Sequence, residues 1–168
     1  MTVDIATSLF FTGHRNVPSE EKEIITKRVS SSIEVFIRKG YKTFICGGAL
    51  GFDSIAAECV IEKKTAHPEI RLLLALPCRD QTAAWSDTSD LARYKTILGR
   101  ADDIYYAENF YKKGCMHKRN RWMADNSSVC IAYLKTNRGG TAYTYKYAED
   151  KGLQMINLGT DSKQLSFC

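Results

Sequence analysis

Short, almost continuous apolar runs alternate with longer amphipathic stretches along this chain. The runs are TSLFFTG (7–13), KTFICGG (42–48), RLLLALP (71–77), DIYYA (103–107), SVCIAYL (128–134) and QMINLG (154–159). Strands that are apolar on both sides need cover on both sides, and the segments between these runs have helical length and period. The pattern therefore predicts an α/β fold in three layers around a mostly parallel central sheet.

The connecting stretches support that reading. SEEKEIITKRVSSSIEVFIRKG places Ile25, Val29, Ile33 and Phe36 on one stripe, with Ser19 as the expected N-cap and Gly40 after a basic end. From residue 52 to 60, Phe52, Ile55, Ala56, Cys59 and Val60 recur at helical spacing and predict a helix with one face on the sheet. Further helices are expected over 89–99, 116–126 and 141–151. No repeat or break in composition divides the chain, and 168 residues suit one domain, so a single domain over 1–168 is expected.

Composition narrows the function classes. With 44% hydrophobic and 26% charged residues, the chain reads as an ordinary globular protein rather than a disordered or fibrous one. No apolar run reaches membrane-spanning length, and MTVDIATSLFF lacks a basic region before its apolar stretch, so a cytoplasmic location without membrane association is expected. The six cysteines (Cys46, Cys59, Cys78, Cys115, Cys130, Cys168) form no C-x-x-C pair and are expected to be reduced thiols, mostly buried. His14, His67 and His117 have no ligand-like spacing, so no metal site is expected. A net charge of +5 suits an anionic ligand but forms no stripe for nucleic acid.

Ligands of open parallel sheets bind beyond the carboxyl ends of the strands, so the segments after each strand carry the functional information. In TGHR, Thr12 and Gly13 lead into His14 and Arg15, two donors suited to a phosphate; a plain turn is the competing reading. In ICGGALGFDSIAAE, Gly47, Gly48 and Gly51 permit close approach of a ligand to a helix start. This is neither G-x-G-x-x-G nor a Walker A loop. Asp53 in the first helical turn competes with a phosphate; it suits ribose hydroxyls or a helix cap instead. In HKRNRWMADNSS, Arg119 can fork onto phosphate oxygens and Asn120 can read a base edge or hydroxyl, while Arg121 and Asp125 have the spacing of a helix pair. In NRGGTAYTY, Gly139 and Gly140 form a second Gly-Gly turn, and Thr141 can cap the helix or touch an anion. Among the frequent aromatics (Trp85, Tyr94, Tyr105, Tyr106, Phe110, Tyr111, Trp122, Tyr143, Tyr145), one or two are candidates to stack on a nucleobase.

The order and spacing of FTGHR, ICGGALGFDSIAAE, LPCRDQTAAW, KRNRWMADNS and GGTAYTYKYAEDKG resemble the YpsA-like branch of the SLOG superfamily, which also contains the DprA and LOG proteins. The resemblance spans nearly the whole chain. It implies a Rossmann-like fold whose strand ends form a pocket for nucleotides or nucleotide-derived ligands, in a group that includes both sensor domains and enzymes. One departure concerns the LOG enzymes, which carry P-G-G-x-G-T-x-x-E. Here Thr144 stands at the glutamate's position and cannot supply a carboxylate, so N-glycosidic hydrolysis would need Asp53, Glu58 or Asp125 instead.

Three expectations follow. The first is binding or sensing of a phosphorylated, nucleotide-derived small molecule by Thr12, Gly13, His14, Arg15, Gly47, Gly48, Gly51, Asp53, Arg119, Asn120, Gly139, Gly140 and Thr141, with no required cofactor. The second is a nucleotide or ADP-ribose N-glycosidase in the same pocket, its catalytic residue unassigned. DprA-like binding of nucleic acid ranks third, for want of a basic stripe. A homodimer through Tyr-rich faces is a further, structural expectation.

Overall fold

The computed structural model describes residues 1–160, so Cys168 lies outside the described residues. Six strands form one sheet: β1 (Ser8–Gly13), β2 (Thr43–Cys46), β3 (Arg71–Leu76), β4 (Asp103–Tyr106), β5 (Val129–Tyr133) and β6 (Gln154–Asn157). Their order is β4-β3-β2-β1-β5-β6. Every pairing is parallel, which sharpens the expectation of a mostly parallel sheet.

Five helices connect the strands: α1 (Ser19–Arg38), α2 (Phe52–Ala66), α3 (Thr88–Arg100), α4 (Cys115–Asp125) and α5 (Gly139–Asp150). Three successive crossovers run in the same direction from β1 to β4, and right-handed connections then place α1, α2 and α3 on one face. The chain next crosses back to set β5 beside β1, so α4 and α5 cover the opposite face.

Alternation along the strands separates the two layers of core. Leu9, Phe11, Phe44, Cys46, Leu72, Leu74, Val129 and Ile131 pack beneath α1–α3, where they meet the Ile25, Val29, Ile33 and Phe36 stripe. Phe10, Ile45, Leu73, Ala75, Cys130 and Ala132 point the other way, toward Met123 and Ala124 of α4 and Ala148 of α5. Each large side chain fully removed from water here contributes roughly 1.5–3 kcal/mol. All five cysteines in the described residues are buried and unpaired in disulfides.

Several local details differ from the sequence reading. Ser19 is the first helical residue rather than the N-cap: Pro18 holds that position without a side-chain bond, and Glu20 and Glu21 supply the negative charge favoured there. α2 continues past Val60 to Ala66, because Glu-Lys-rich sequence still favours helix after the apolar stripe ends; Pro68 then disfavours the α-region at His67. α5 begins at Gly139, so the second Gly-Gly pair lies in its first turn and Thr141 makes no side-chain cap bond. Arg121 does not pair with Asp125. It donates to the Tyr143 hydroxyl at 3.2 Å, whereas Asp125 accepts from the Tyr147 hydroxyl at 2.8 Å and from Lys151 at 2.5 Å, both on the α5 side.

Candidate functional site

Strand order reverses between β1 and β5. Loops leaving these two neighbours diverge to opposite faces of the sheet, and a crevice opens between them at the carboxyl ends. A cleft of about 580 Å³ occupies this point, a size typical of small-molecule sites.

The end of β1 contributes Thr12 and Gly13 and the loop after it His14 and Arg15; α2 contributes Asp53; α4 contributes Arg119 and Asn120; α5 contributes Gly139, Gly140 and Thr141. Four segments remote in sequence are thus brought around one space. Gly47, Gly48 and Gly51 are not among the residues that line this cleft, and Gly51 borders a neighbouring groove. A Cβ on Gly48 would run into Leu76, and one on Gly51 would overlap the carbonyl of Arg15. Gly51 also has φ +75°, a backbone conformation that other residues rarely adopt.

Arg119 is 6% exposed, and most of its donors are committed within the fold. Nη1 donates to the carbonyls of Gly47 and Ala75, the latter at 3.1 Å, and Nε donates to Asn120 Oδ1 at 2.7 Å. The guanidinium thus clamps the ends of β2 and β3 to α4. Sequence reading assigned it a phosphate fork; here Nε and Nη1 are spent within the fold, and Nη2 has no partner among the described residues.

Asp53 is also 6% exposed. Its Oδ2 accepts from the Ala49 N–H at 3.2 Å. Burial pushes the carboxyl pKa up, while the Arg119 guanidinium and the Ala49 N–H pull against that rise.

His14 Nε2 accepts from the Lys135 backbone N–H at 2.8 Å, which places the ring proton on Nδ1 in the neutral imidazole. Burial lowers its pKa and supports that neutral form. The first turn of α5 lies opposite. The N–H groups of Gly139, Gly140 and Thr141 have no acceptor among the described residues, and no side chain caps this helix. Open space surrounds the Cβ positions of Gly139 and Gly140. Free N–H groups at a helix start with adjacent guanidinium groups form an anion-binding arrangement.

Sequence reading did not single out Ala49, Met116, His117, Met123 and Arg138 for this cleft. Arg138 had a usable signal, a cation directly before a Gly-Gly helix start. Met116 and His117 had none, since only tertiary packing brings the start of α4 to the rim. None of the aromatic candidates for base stacking lines the cleft; Trp122 instead stacks on Tyr105 with centroids 4.0 Å apart.

Of the three carboxylates considered for hydrolysis, Asp53 alone faces the cleft. Glu58 borders a separate groove of about 640 Å³ between α1, α2 and α3, where Arg93 forks onto it at 2.5 and 2.7 Å. Asp125 ends α4 away from the rim. Thr144 is fully buried and donates to the Gly140 carbonyl at 2.8 Å. No group of three or more His, Cys, Asp and Glu residues is placed to hold a metal among the described residues, and no helix there is long and apolar enough to cross a membrane.

The fold and the switch-point cleft define a Rossmann-like α/β protein of the SLOG kind. The profile of the YspA SLOG family matches residues 10–159, and the chain belongs to that family. The SPbeta prophage-derived protein YoqJ of Bacillus subtilis is 34% identical over 130 residues, covering 70% of this chain and 75% of YoqJ. A UPF0398 protein of Halalkalibacterium halodurans is 26% identical over 149 residues, 87% of this chain and 76% of that protein.

Among solved structures, DNA processing protein A (DprA) of Streptococcus pneumoniae superimposes with a TM-score of 0.65 at 12% identity. The match takes in 94% of this chain but only 52% of DprA, so the chain spans about half of that protein. DprA of Helicobacter pylori, which binds single-stranded DNA, gives a TM-score of 0.63 at 21% identity over 92% of this chain and 66% of that one. Both likenesses concern the fold.

Proposed function

We propose that the switch-point cleft binds a phosphorylated, nucleotide-derived small molecule and holds it intact, as a cytoplasmic sensor or carrier does, with no cofactor. The uncapped start of α5 carries this reading. Its three free N–H groups belong to residues that line the same cleft as Arg15, Arg138 and His14.

Mass spectrometry of species retained and released after incubation with AMP, NAD, ADP-ribose and cyclic nucleotides tests it. Stoichiometric retention of an intact nucleotide is expected, with loss of retention in Gly140→Asp, where open space admits the side chain and its charge repels a phosphate. Retention of no member of the panel would overturn the proposal.

Asp53 supports a second reading, N-glycosidic hydrolysis, because it is the carboxylate that lines the cleft. That reading predicts released base and sugar phosphate, with turnover abolished and binding kept in Asp53→Asn. The Helicobacter pylori neighbour motivates adding a single-stranded oligonucleotide to the panel. A homodimer through the face of α5 that carries the exposed Tyr143 is to be tested by light scattering.

A further inference from the structure

Asp53 is out of place in a site built only for an anion. Positive groups dominate the cleft, with Arg15, Arg119 and Arg138 around it and the free N–H groups of α5 across it. A carboxylate at its floor repels phosphate, so the part of the ligand that reaches Asp53 is a neutral hydrogen-bond donor rather than a charged oxygen.

Asp53 is not consumed by the fold. It is 6% exposed and lines the cleft, Oδ2 takes a single N–H from Ala49 at 3.2 Å, and Oδ1 has no partner among the described residues. Ser127 Oγ is the only buried side-chain polar atom without a partner among the described residues, so Oδ1 is open to the cleft, where a ligand hydroxyl reaching it forms a charge-assisted bond. The bond from the Ala49 N–H ties Oδ2 to the loop before α2 and leaves Oδ1 as the oxygen available to the cleft that Asp53 lines.

We infer that Asp53 selects for ribose: it accepts a hydrogen bond from a ribose hydroxyl of a ligand whose phosphate sits at the start of α5, and the cleft discriminates ribonucleotides from their deoxy counterparts. This rests on the nucleotide reading above and names the ligand class more narrowly. A ligand lacking the hydroxyl leaves Oδ1 dehydrated and unpaired, which penalises it beyond the loss of one contact. The same selection disfavours DNA as an occupant, although the fold is shared with a protein that binds single-stranded DNA.

Isothermal titration of matched pairs, AMP against 2′-deoxy-AMP and 3′-deoxy-AMP, tests the inference on the intact chain and on Asp53→Asn. At least one deoxy analogue is expected to bind about 10- to 100-fold more weakly to the unaltered protein, as for loss of one hydrogen bond to a charged group. Asp53→Asn keeps the side-chain volume and is expected to bring that ratio to about 3-fold or less while phosphate-dependent binding persists. Equal affinity for AMP and both deoxy analogues in the unaltered protein would overturn ribose selection and leave the nucleotide site standing; this comparison needs no variant. Undiminished preference in Asp53→Asn would overturn the assignment to Asp53. Absence of binding by every nucleotide, with the fold intact by circular dichroism, would overturn both proposals together.

Discussion

Arg119 and Asp53 both flank Gly47: the guanidinium Nη1 and the carboxylate Oδ2 lie 2.8 and 2.7 Å from the point where a Cβ on that glycine would stand. Opposite charges thus share a buried floor that joins the end of β2 to α2 and α4. The arrangement separates residues that build the floor from those that face the ligand.

Removing Arg119 should damage the fold more than the ligand contacts. Arg119→Ala strips hydrogen bonds from the Gly47 and Ala75 carbonyls and leaves Asp53 buried without its countercharge. Urea denaturation is expected to show a loss of roughly 3 kcal/mol or more. Arg138→Ala, at an exposed position, should stay within about 0.5 kcal/mol of the parent. An Arg119→Ala protein with parental stability would refute the clamp.

The glycines divide in the same way. At Gly51, φ is +75° and an added Cβ overlaps the Arg15 carbonyl, so strain and overlap act together in Gly51→Ala; a loss above about 2 kcal/mol is expected. At Gly139, φ is +87° but the space is open, so Gly139→Ala should cost only about 1–2 kcal/mol. Thermal melts of the two variants give the ordering, and a reversed order would show that the β1–α1 loop yields to α2.

Acid should weaken the protein through His14. Burial lowers its pKa from the ordinary 6.5, so the unfolded chain binds more protons in the interval between the folded value and 6.5. Stability from this residue is complete above pH 6.5 and declines as the pH falls through that interval. It levels off below the folded value. Protonation also ends the acceptance by Nε2 of the Lys135 N–H. Denaturation at pH 7.5 and 5.5 should show a smaller loss on acidification in His14→Gln than in the parent; equal losses would remove His14 from the account.

The residues of the cleft were largely legible before the fold because glycine, arginine and histidine after an apolar run already carry chemistry at a strand end. TGHR and NRGGT could be read that way, and both line the cleft. Roles within it were not legible. Arg119 looked like a phosphate ligand because its burial depends on β2 and β3 reaching it, and Asp125 looked like a partner of Arg121 because sequence spacing does not show that α5 offers it Tyr147 and Lys151.

What the chain determined by itself is the alternation of doubly apolar strands with amphipathic helices, which admits a parallel sheet covered on both faces because each element has apolar surface that water excludes. Only the tertiary structure decided that β5 returns beside β1. That reversal opens the cleft and sets which side chains spend their hydrogen bonds inside the protein and which keep them free: burial and partners are properties of neighbours in space, and the carbonyls that Arg119 binds lie 72 and 44 residues away in sequence.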